Sequence, residues 1–489
     1  MRPHGGSRRA AWLGSLYSSV AVALLLLATS CGAGARPNIV LVVVDTLRAD
    51  FLGAYGFAGP ISEHLDRLAA ESLLFENAFA PAPWTKPAVA SMLTSLYPQV
   101  HGITNHDGFF WGESSDEEAR LGVLSDRATT LAESLQAAGY ATAAFISNPW
   151  LKAEYGFAQG FDHYDDSLSE RFLEQVESVP ADEVGDAAQL WLEGRDAEQP
   201  FFLYLHLMDV HSPYGVHSSR ADFDALVGSR QVESRVVMEE AQTPHRTFNN
   251  VERRPEWATD DMRRTVSYWR TRYAAGVRGM DQALSGFLDH LRESGRLDDS
   301  YFVLTSDHGE ELFEHGGWIH GQSLYFHQLH IPLFIRPPGG LLGGRRVAEI
   351  VDLMDLTPTL LSIAGTDPIP QAQGQDVSAF FDGEVPELRA ASYATATQPS
   401  PGLHSVRTVD HKFIFDLDAD TAQLFDVLDD PTERRNHGDS ADWEKVVSQL
   451  TYQVTTHIGD SLVNGTLTSE TTEISDEMLE RLRSLGYVR

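Results

Sequence analysis

Four polar side chains of the sequence stand where apolar runs end or a helix begins. Asp45 follows PNIVLVVV, Asp307 and His308 follow SYFVLTS, and Thr85 comes just before Pro87 in PWTKPAV. Two carboxylates, an imidazole and a hydroxyl are the parts of a divalent cation site with a metal-bound alkoxide nucleophile. Alone, Thr85 would be interpreted as a helix N-cap and Asp45 as a turn residue. Taken together, the four predict a catalytic centre.

The ligand types restrict the metal. Cys31 is the single cysteine of the chain, so neither an intramolecular disulfide nor a thiolate metal site is available. The ligands must therefore be Asp, Glu, His or Thr. Oxygen ligands with one imidazole suit Mn²⁺, Mg²⁺ or Ca²⁺, and Zn²⁺ stays open.

Alternating strand and helix patterns must position these groups. Continuous apolar runs of strand length alternate with runs of helical period, which predicts a large, mostly parallel sheet flanked by helices on both faces. In such sheets, sites gather at the carboxyl ends of the strands. The predicted strands are 37–45, 141–147, 201–207, 300–307 and 331–337, and the predicted helices are 61–72, 129–139, 261–292 and 355–365.

Composition narrows the class of protein. With 489 residues, the chain exceeds one ordinary core, which favours a large catalytic domain and a smaller one. A hydrophobic content of 42% excludes a disordered chain. The formal charge of -33 argues against a nucleic-acid partner, because such partners select a basic surface.

The N-terminus is typical of an export signal. Arg2, Arg8 and Arg9 precede an uncharged stretch over residues 10–30, and small residues lead into Cys31 in LLLLATSCG. We predict a signal peptide over residues 1–31 of the lipoprotein type, with Cys31 as the lipidation site and a location in the envelope or periplasm of a bacterium. An uncleaved membrane anchor is the alternative, since about 20 apolar residues can span a bilayer.

Several segments resemble the sulfatase family of the alkaline phosphatase superfamily. They are VDTLRAD around Asp45, SLYPQVHG, TSDHGEE at 305–311 and LFDVLDDPTERRN at 424–436, and the resemblance runs from about residue 37 to the end. It implies a large α/β domain with a central mixed sheet and a small C-terminal α+β subdomain, with a short antiparallel sheet and a helix. We set the catalytic domain at residues 36–384 and the C-terminal subdomain at 385–489.

In one motif the sequence departs from that family. Sulfatases form formylglycine from the first residue of a motif Cys or Ser, any residue, Pro, any residue, Arg, whereas this chain has Thr85 and, in place of the arginine, Val89. Threonine cannot give the aldehyde, so we expect no formylglycine. Threonine at this place resembles the phosphoglycerol and phosphoethanolamine transferases and related phosphodiesterases, which implies one divalent metal ion held by Asp45, Thr85, Asp307 and His308.

The resemblance also implies roles for four further residues. His211, in HLMDVHSPY, would lie near the substrate oxyanion as a proton-transfer group, and His320, in GGWIHGQ, next to the leaving group. Asn148 stands where sulfatases carry a Lys and His pair, and Lys86 would bring a positive charge beside the nucleophile, so both are predicted to bind substrate. Asp209 and His211 are too close in sequence to match the usual second zinc site, so one metal is expected.

Three functional hypotheses follow. The first is an exported, metal-dependent hydrolase or transferase that acts through Thr85 on a phosphodiester, phosphomonoester, phosphonate or sulfate ester of a small molecule, glycan or lipid headgroup. The second is a sulfuric ester hydrolase that uses unmodified Thr85. The third is a catalytically inactive, sulfatase-like surface binding protein. Substrate identity is expected to reside in the charged insertion over residues 212–262.

Overall fold

The long apolar runs form strands that are buried on both faces. In β1 (Asn38–Val44) the side chains alternate between two apolar layers, with Ile39, Leu41 and Val43 in one and Val40, Val42 and Val44 in the other. Each fully buried aliphatic side chain of this kind contributes roughly 1.5 to 3 kcal/mol. Burial on both faces is the reason that β1 reads as a continuous apolar run rather than an alternating one.

The computed structural model describes residues 36–103, 120–175, 179–215, 260–340, 342–396, 402–463, 467 and 470–473. The predicted signal peptide, Cys31 and most of the 212–262 insertion lie outside these residues. The described strands after β1 are β2 (Leu73–Phe79), β3 (Arg120–Val123), β4 (Ala141–Ile146), β5 (His163–Asp165), β6 (Phe201–Leu207), β7 (Ser300–Thr305), β8 (Glu311–Leu312), β9 (Trp318–Ile319), β10 (His330–Arg336), β11 (Arg346–Asp352), β12 (Ala391–Thr395), β13 (Leu403–Thr408), β14 (His411–Asp416), β15 (Thr421–Asp426) and β16 (Glu470–Glu473).

The described α-helices complete the element order. They are α1 (Glu63–Ala69), α2 (Thr85–Thr94), α3 (Pro98–His101), α4 (Leu131–Ala137), α5 (Leu168–Gln175), α6 (Ala181–Gly194), α7 (Asp260–Glu293), α8 (Phe326–Leu329), α9 (Leu356–Ile363) and α10 (Glu444–Val463). None of the helices in this part of the chain is both long and apolar enough to cross a membrane.

One sheet, with eight strands among the described residues, organises the fold. Its order is β11-β2-β10-β7-β1-β6-β4-β5, and β10 alone runs antiparallel to its neighbours within it. The predicted mixed, mostly parallel sheet is therefore confirmed. Strands β2, β5 and β11 were missing from the prediction. LLFENAF and RVAEIVD mix polar residues into their apolar pattern, and β5 has only three residues.

Helices cover both faces of this sheet, as predicted. Helices α2, α4 and α9 contribute apolar side chains to the layer that holds Ile39. Helices α1, α6 and α7 contribute to the layer on the other face. Predicted helix 61–72 is shorter in the structure, where it ends at Ala69, and predicted helix 261–292 is observed at Asp260–Glu293.

A second, antiparallel sheet follows in the C-terminal part. Strands β12 to β15 pair in sequence order, and β14 and β15 form an antiparallel pair within HKFIFDLDADTAQLFDV. Helix α10 packs on this sheet through Leu450 and Val454 against Val406, Phe413 and Leu424. The predicted subdomain is present. The described residues from Pro37 onwards form one compact unit, and the boundary at residue 385 stays a prediction.

Candidate active site

The order of the strands brings the candidate residues together. Strand β1 lies between β6 and β7 and is parallel to both, so the three carboxyl ends meet at one edge. Asp45 continues the β1 ladder, since its backbone N–H donates to the Leu207 carbonyl at 2.8 Å. Thr46 then turns the chain with a φ of 59° and donates its N–H to Asp307 Oδ1 at 3.2 Å. The two carboxylates are thereby fixed side by side.

Asp45 is the centre of the cluster. Its Oδ2 accepts hydrogen bonds from Asn148 Nδ2 at 2.5 Å and from Thr85 Oγ1 at 3.3 Å. His206 Nε2 also lies 3.3 Å from this oxygen. These three partners come from different parts of the fold, so Oδ2 is the point at which the site is assembled.

Thr85 is the first residue of helix α2, and Trp84 occupies the N-cap position. The residue is 2% exposed, and its side chain contacts the cluster, with Oγ1 3.4 Å from both His308 Nε2 and Asn148 Nδ2. The reading of Thr85 as an N-cap is therefore wrong. Because the helix N-terminus is electropositive, an anionic group beside Thr85 would be stabilised there.

Asp45, Asp307 and His308 could hold a metal ion. One ligand atom from each lies within 4.8 Å of the other two, and all three residues are buried. Asp45 Oδ1 and Asp307 Oδ2 are buried without a hydrogen-bond partner among the described residues. His308 donates its Nδ1 proton to the Gly309 carbonyl at 2.8 Å, which leaves the Nε2 lone pair directed into the site, 3.4 Å from Asp307 Oδ2. The donors thus fit a divalent cation.

The electrostatics of the pair support the same conclusion. Burial raises the pKa of Asp307 well above its usual value, and the charge of Asp45 raises it further. Burial alone would also raise the pKa of Asp45, but the hydrogen bond from His206 and the nearby imidazoles hold that pKa well below its usual value. Burial lowers the pKa of His308, which keeps it in the neutral, ligating form. Two adjacent buried carboxylates cannot both ionise without a positive charge between them, which a cation would supply.

The two predicted proton-transfer histidines lie together on one side of this cluster. The ring centroid of His320 is 4.5 Å from that of His308 and 5.1 Å from that of His211. His320 Nδ1 lies 3.0 Å from Glu310 Oε1. Burial lowers the pKa of His320, but the charge and hydrogen bond of Glu310 outweigh it and raise the pKa overall. Burial lowers the pKa of His211.

Asn148 and Lys86, predicted to bind substrate, make contacts within the protein. Asn148 donates to Asp45 and accepts from the Trp150 backbone N–H at 2.8 Å. Lys86 is buried, and its Nζ lies 4.1 Å from the centroid of the Tyr155 ring. Burial lowers the pKa of this ammonium group to about 7. The substrate role of both residues stays a prediction.

The structure adds two residues to which the sequence assigned no role. His206 binds Asp45 through Nε2 and Tyr204 through Nδ1, at 2.8 Å from the hydroxyl. A polar residue inside the apolar run FFLYLHL was the available signal. Glu310 lies in the segment TSDHGEE, and nothing in the sequence distinguishes it from the neighbouring Glu311. Asp209 stays outside the cluster, because its Oδ1 accepts from the Ala181 N–H at 2.9 Å.

The sequence is similar to known proteins along most of its length. A sequence model of the sulfatase family matches residues 37–366, and one described as N-sulphoglucosamine sulphohydrolase, C-terminal, matches residues 314–459. An N-acetylglucosamine-6-O-sulfatase of Bacteroides thetaiotaomicron is 26% identical over 85% of each chain. An arylsulfatase of Clostridium perfringens is 23% identical, covering 85% of this chain and 93% of its own.

Solved structures share the fold. A phosphonate monoester hydrolase of Agrobacterium radiobacter superimposes with a TM-score of 0.66 at 21% identity, covering 87% of this chain and 96% of its own.

Proposed function

The chain belongs to the sulfatase family of ester hydrolases, and on that premise we propose that it cleaves a phosphorus ester, a phosphonate monoester or phosphodiester, with Thr85 as the nucleophile. The observation that carries this proposal is the position of Thr85 Oγ1, which lies 3.3 Å from Asp45 Oδ2 and 3.4 Å from His308 Nε2. A buried hydroxyl beside groups that could bind a cation has the surroundings that an activated nucleophile needs.

In the first step, Thr85 Oγ1 attacks phosphorus, and the bond from phosphorus to the leaving oxygen breaks. The Thr85 hydroxyl proton has an acceptor within reach in Asp45 Oδ2, and His320 supplies a proton to the leaving oxygen. A divalent cation held by Asp45, Asp307 and His308 would lower the pKa of the hydroxyl and offset the charge on the transferred group.

In the second step, water attacks phosphorus and gives a proton to His320, the bond from phosphorus to Thr85 Oγ1 breaks, and this oxygen takes back the proton from Asp45, which restores the hydroxyl. Threonine has one oxygen on Cβ, so it cannot release the group by the elimination that formylglycine allows. Release must instead occur by a second attack on the transferred group. This requirement favours a phosphorus ester, and the likeness of fold to a phosphonate monoester hydrolase supports it.

A sulfate ester is the second candidate. The observation in its favour is the N-acetylglucosamine-6-O-sulfatase that is 26% identical over 85% of each chain. The same residues would serve, with sulfur in place of phosphorus. A sulfate ester of a glycan is the form of substrate that this relative suggests.

The test uses the full-length protein in mild detergent, with bound metal measured and nitrophenyl phosphonate, phosphodiester, phosphate and sulfate compared. Thr85→Ala is expected to lose at least about 10⁴-fold in turnover, whereas Thr85→Ser, which keeps the hydroxyl, is expected to retain most of it. Unchanged turnover in Thr85→Ala would disprove the nucleophile. Preferred turnover of sulfate would select the second candidate, and absence of both metal and turnover would favour a binding protein. Added alcohol acceptors distinguish a transferase.

We further propose that the protein is exported and lipidated at Cys31, on the basis of the charged start, the uncharged stretch and the small residues before this cysteine. Expression in a bacterial host followed by membrane fractionation tests the proposal. Wild-type protein is expected in the membrane fraction with its signal removed, and Cys31→Ala is expected to keep an uncut signal. Identical mass and processing in both would contradict lipidation.

A further inference from the structure

We propose that Glu310 is a positioning residue that fixes the ring of His320 for protonation of the leaving oxygen; this inference rests on the function proposed above. Glu310 is 0% exposed, and its Oε1 lies 3.0 Å from His320 Nδ1. Among the described residues, His320 is the one ion-pair partner of this carboxylate. A buried carboxylate is costly unless a partner compensates it, so its presence here indicates a specific task.

The contact sets the orientation of the imidazole. When Nδ1–H donates to Glu310, the ring cannot rotate freely about its side-chain bonds, and Nε2 is the nitrogen left for substrate. The centroid of the His320 ring lies 4.5 Å from that of His308 and 5.1 Å from that of His211, so Nε2 of His320 belongs to the candidate site. The His320 side chain is 13% exposed, whereas that of His308 is 0% exposed. His320 therefore lies where a leaving group could extend from the buried centre towards solvent.

The backbone of Glu310 is held by two hydrogen bonds, one at its N–H and one at its carbonyl. Its backbone N–H donates to the His327 carbonyl at 3.0 Å, and its carbonyl accepts from Arg48 Nη1 at 3.0 Å. Gly309 approaches the same segment so closely that a Cβ there would lie 2.2 Å from the His327 oxygen. The backbone at Glu310 is fixed before substrate arrives, as accurate orientation of a catalytic group requires.

Leaving-group dependence tests the inference. Nitrophenyl, phenyl and alkyl esters of the same acid need increasing help from a general acid, and such help is typically worth 10²–10⁴-fold. His320→Gln and Glu310→Gln are each expected to lower kcat/KM for the alkyl ester about 100-fold more than for the nitrophenyl ester. The double variant is expected to lose little more than either single one, because the two residues act as one unit.

The adjacent acid provides a matched control. Glu311 is also buried, but its Oε1 accepts from the Gly317 N–H at 2.8 Å and its Oε2 from Ser323 Oγ at 3.2 Å, contacts that hold a loop. Glu311→Gln is expected to lower thermal stability and to reduce turnover of all three esters by the same factor. A uniform reduction in Glu310→Gln as well would overturn the positioning role while leaving the proposed function standing.

A second measurement does not depend on turnover. In protein labelled with ¹⁵N-histidine, the Nδ1–H signal of His320, assigned by its loss in His320→Gln, is expected to be that of a strong hydrogen bond and to shift in Glu310→Gln. An unchanged signal in Glu310→Gln would overturn the inference even in an inactive protein. If His320→Gln lowers kcat/KM for all three esters by the same factor while Thr85→Ala is inactive, the proposed role of His320 fails and this inference fails with it.

Discussion

Replacing Asp209 with asparagine is expected to stabilise the protein at neutral and alkaline pH but not at acidic pH. Asp209 is 1% exposed, and one carboxylate oxygen accepts from the first N–H of helix α6 at 2.9 Å. The other oxygen, Oδ2, is buried without a hydrogen-bond partner among the described residues. Burial raises the pKa of Asp209 to about 7, and the charge of Asp182 adds to the effect.

The size of the effect follows from linkage. The pKa rises from 3.8 to about 7, and each unit corresponds to about 1.4 kcal/mol. Above pH 4 the unfolded chain releases this proton while the native protein keeps it, so native stability falls as the pH rises and levels off near pH 7. The full cost is at most roughly 4 kcal/mol, and asparagine, which cannot ionise, avoids it. For a cooperative unit of this length, that corresponds to an increase of about 4 °C in Tm.

The assay is thermal and urea unfolding of both proteins from pH 4.5 to pH 8.5. The difference in stability between Asp209→Asn and wild type is expected to grow across this range and then to become constant. Asp182→Asn is the control, since Asp182 is exposed and should show only a small change. A difference that is independent of pH would refute the claim that Asp209 is protonated in the native protein.

Three further predictions concern the site and its scaffold. Asn148→Ala removes a hydrogen bond to the Asp45 carboxylate at 2.5 Å and is expected to lower kcat about 10- to 100-fold, with circular dichroism as the folding control; unchanged kcat would contradict a role for the contact. Removal of the metal by a chelator is expected to lower the free energy of unfolding of wild type, and with it the Tm; the loss is roughly 2.7 kcal/mol if the metal was present at 100 times its Kd. The Tm of Asp307→Ala is expected to stay unchanged, and equal shifts of Tm in the two proteins would contradict the ligand assignment. Thr130→Ala removes half of the Thr130–Glu133 capping box of helix α4 and is expected to cost about 1 kcal/mol without changing kcat, as measured by urea unfolding and steady-state assay.

Much of the fold could be predicted because it is encoded locally. The strands at Asn38–Val44 and Phe201–Leu207 are continuous apolar runs, and a segment buried on both faces needs no other signal. The helix at Asp260–Glu293 has apolar residues at helical spacing along its own sequence, so it could be predicted without knowing what it packs against. Asp45 and Asp307 were found for the same reason, since each directly follows such a run.

Other features have no local signal. The antiparallel direction of His330–Arg336 depends on the path of the chain between β7 and β10, which the strand's own residues do not specify. The contacts of His206 and Glu310 depend on which side chains face them in the folded state. The amide of Asn148 contacts Asp45 across 103 positions of sequence, so no spacing rule could have indicated that hydrogen bond.

The sequence by itself determined the alternation of strands and helices, the identity of the residues at the strand ends, and the presence of a threonine at position 85. Tertiary structure alone decided that Thr85 is the first residue of its helix rather than its cap, and that its hydroxyl faces His308 across 223 positions. The physical reason is that an apolar run or a helical spacing is visible in residues that are neighbours in the sequence. Distances between side chains are set by strand order and helix packing, which only the folded chain provides.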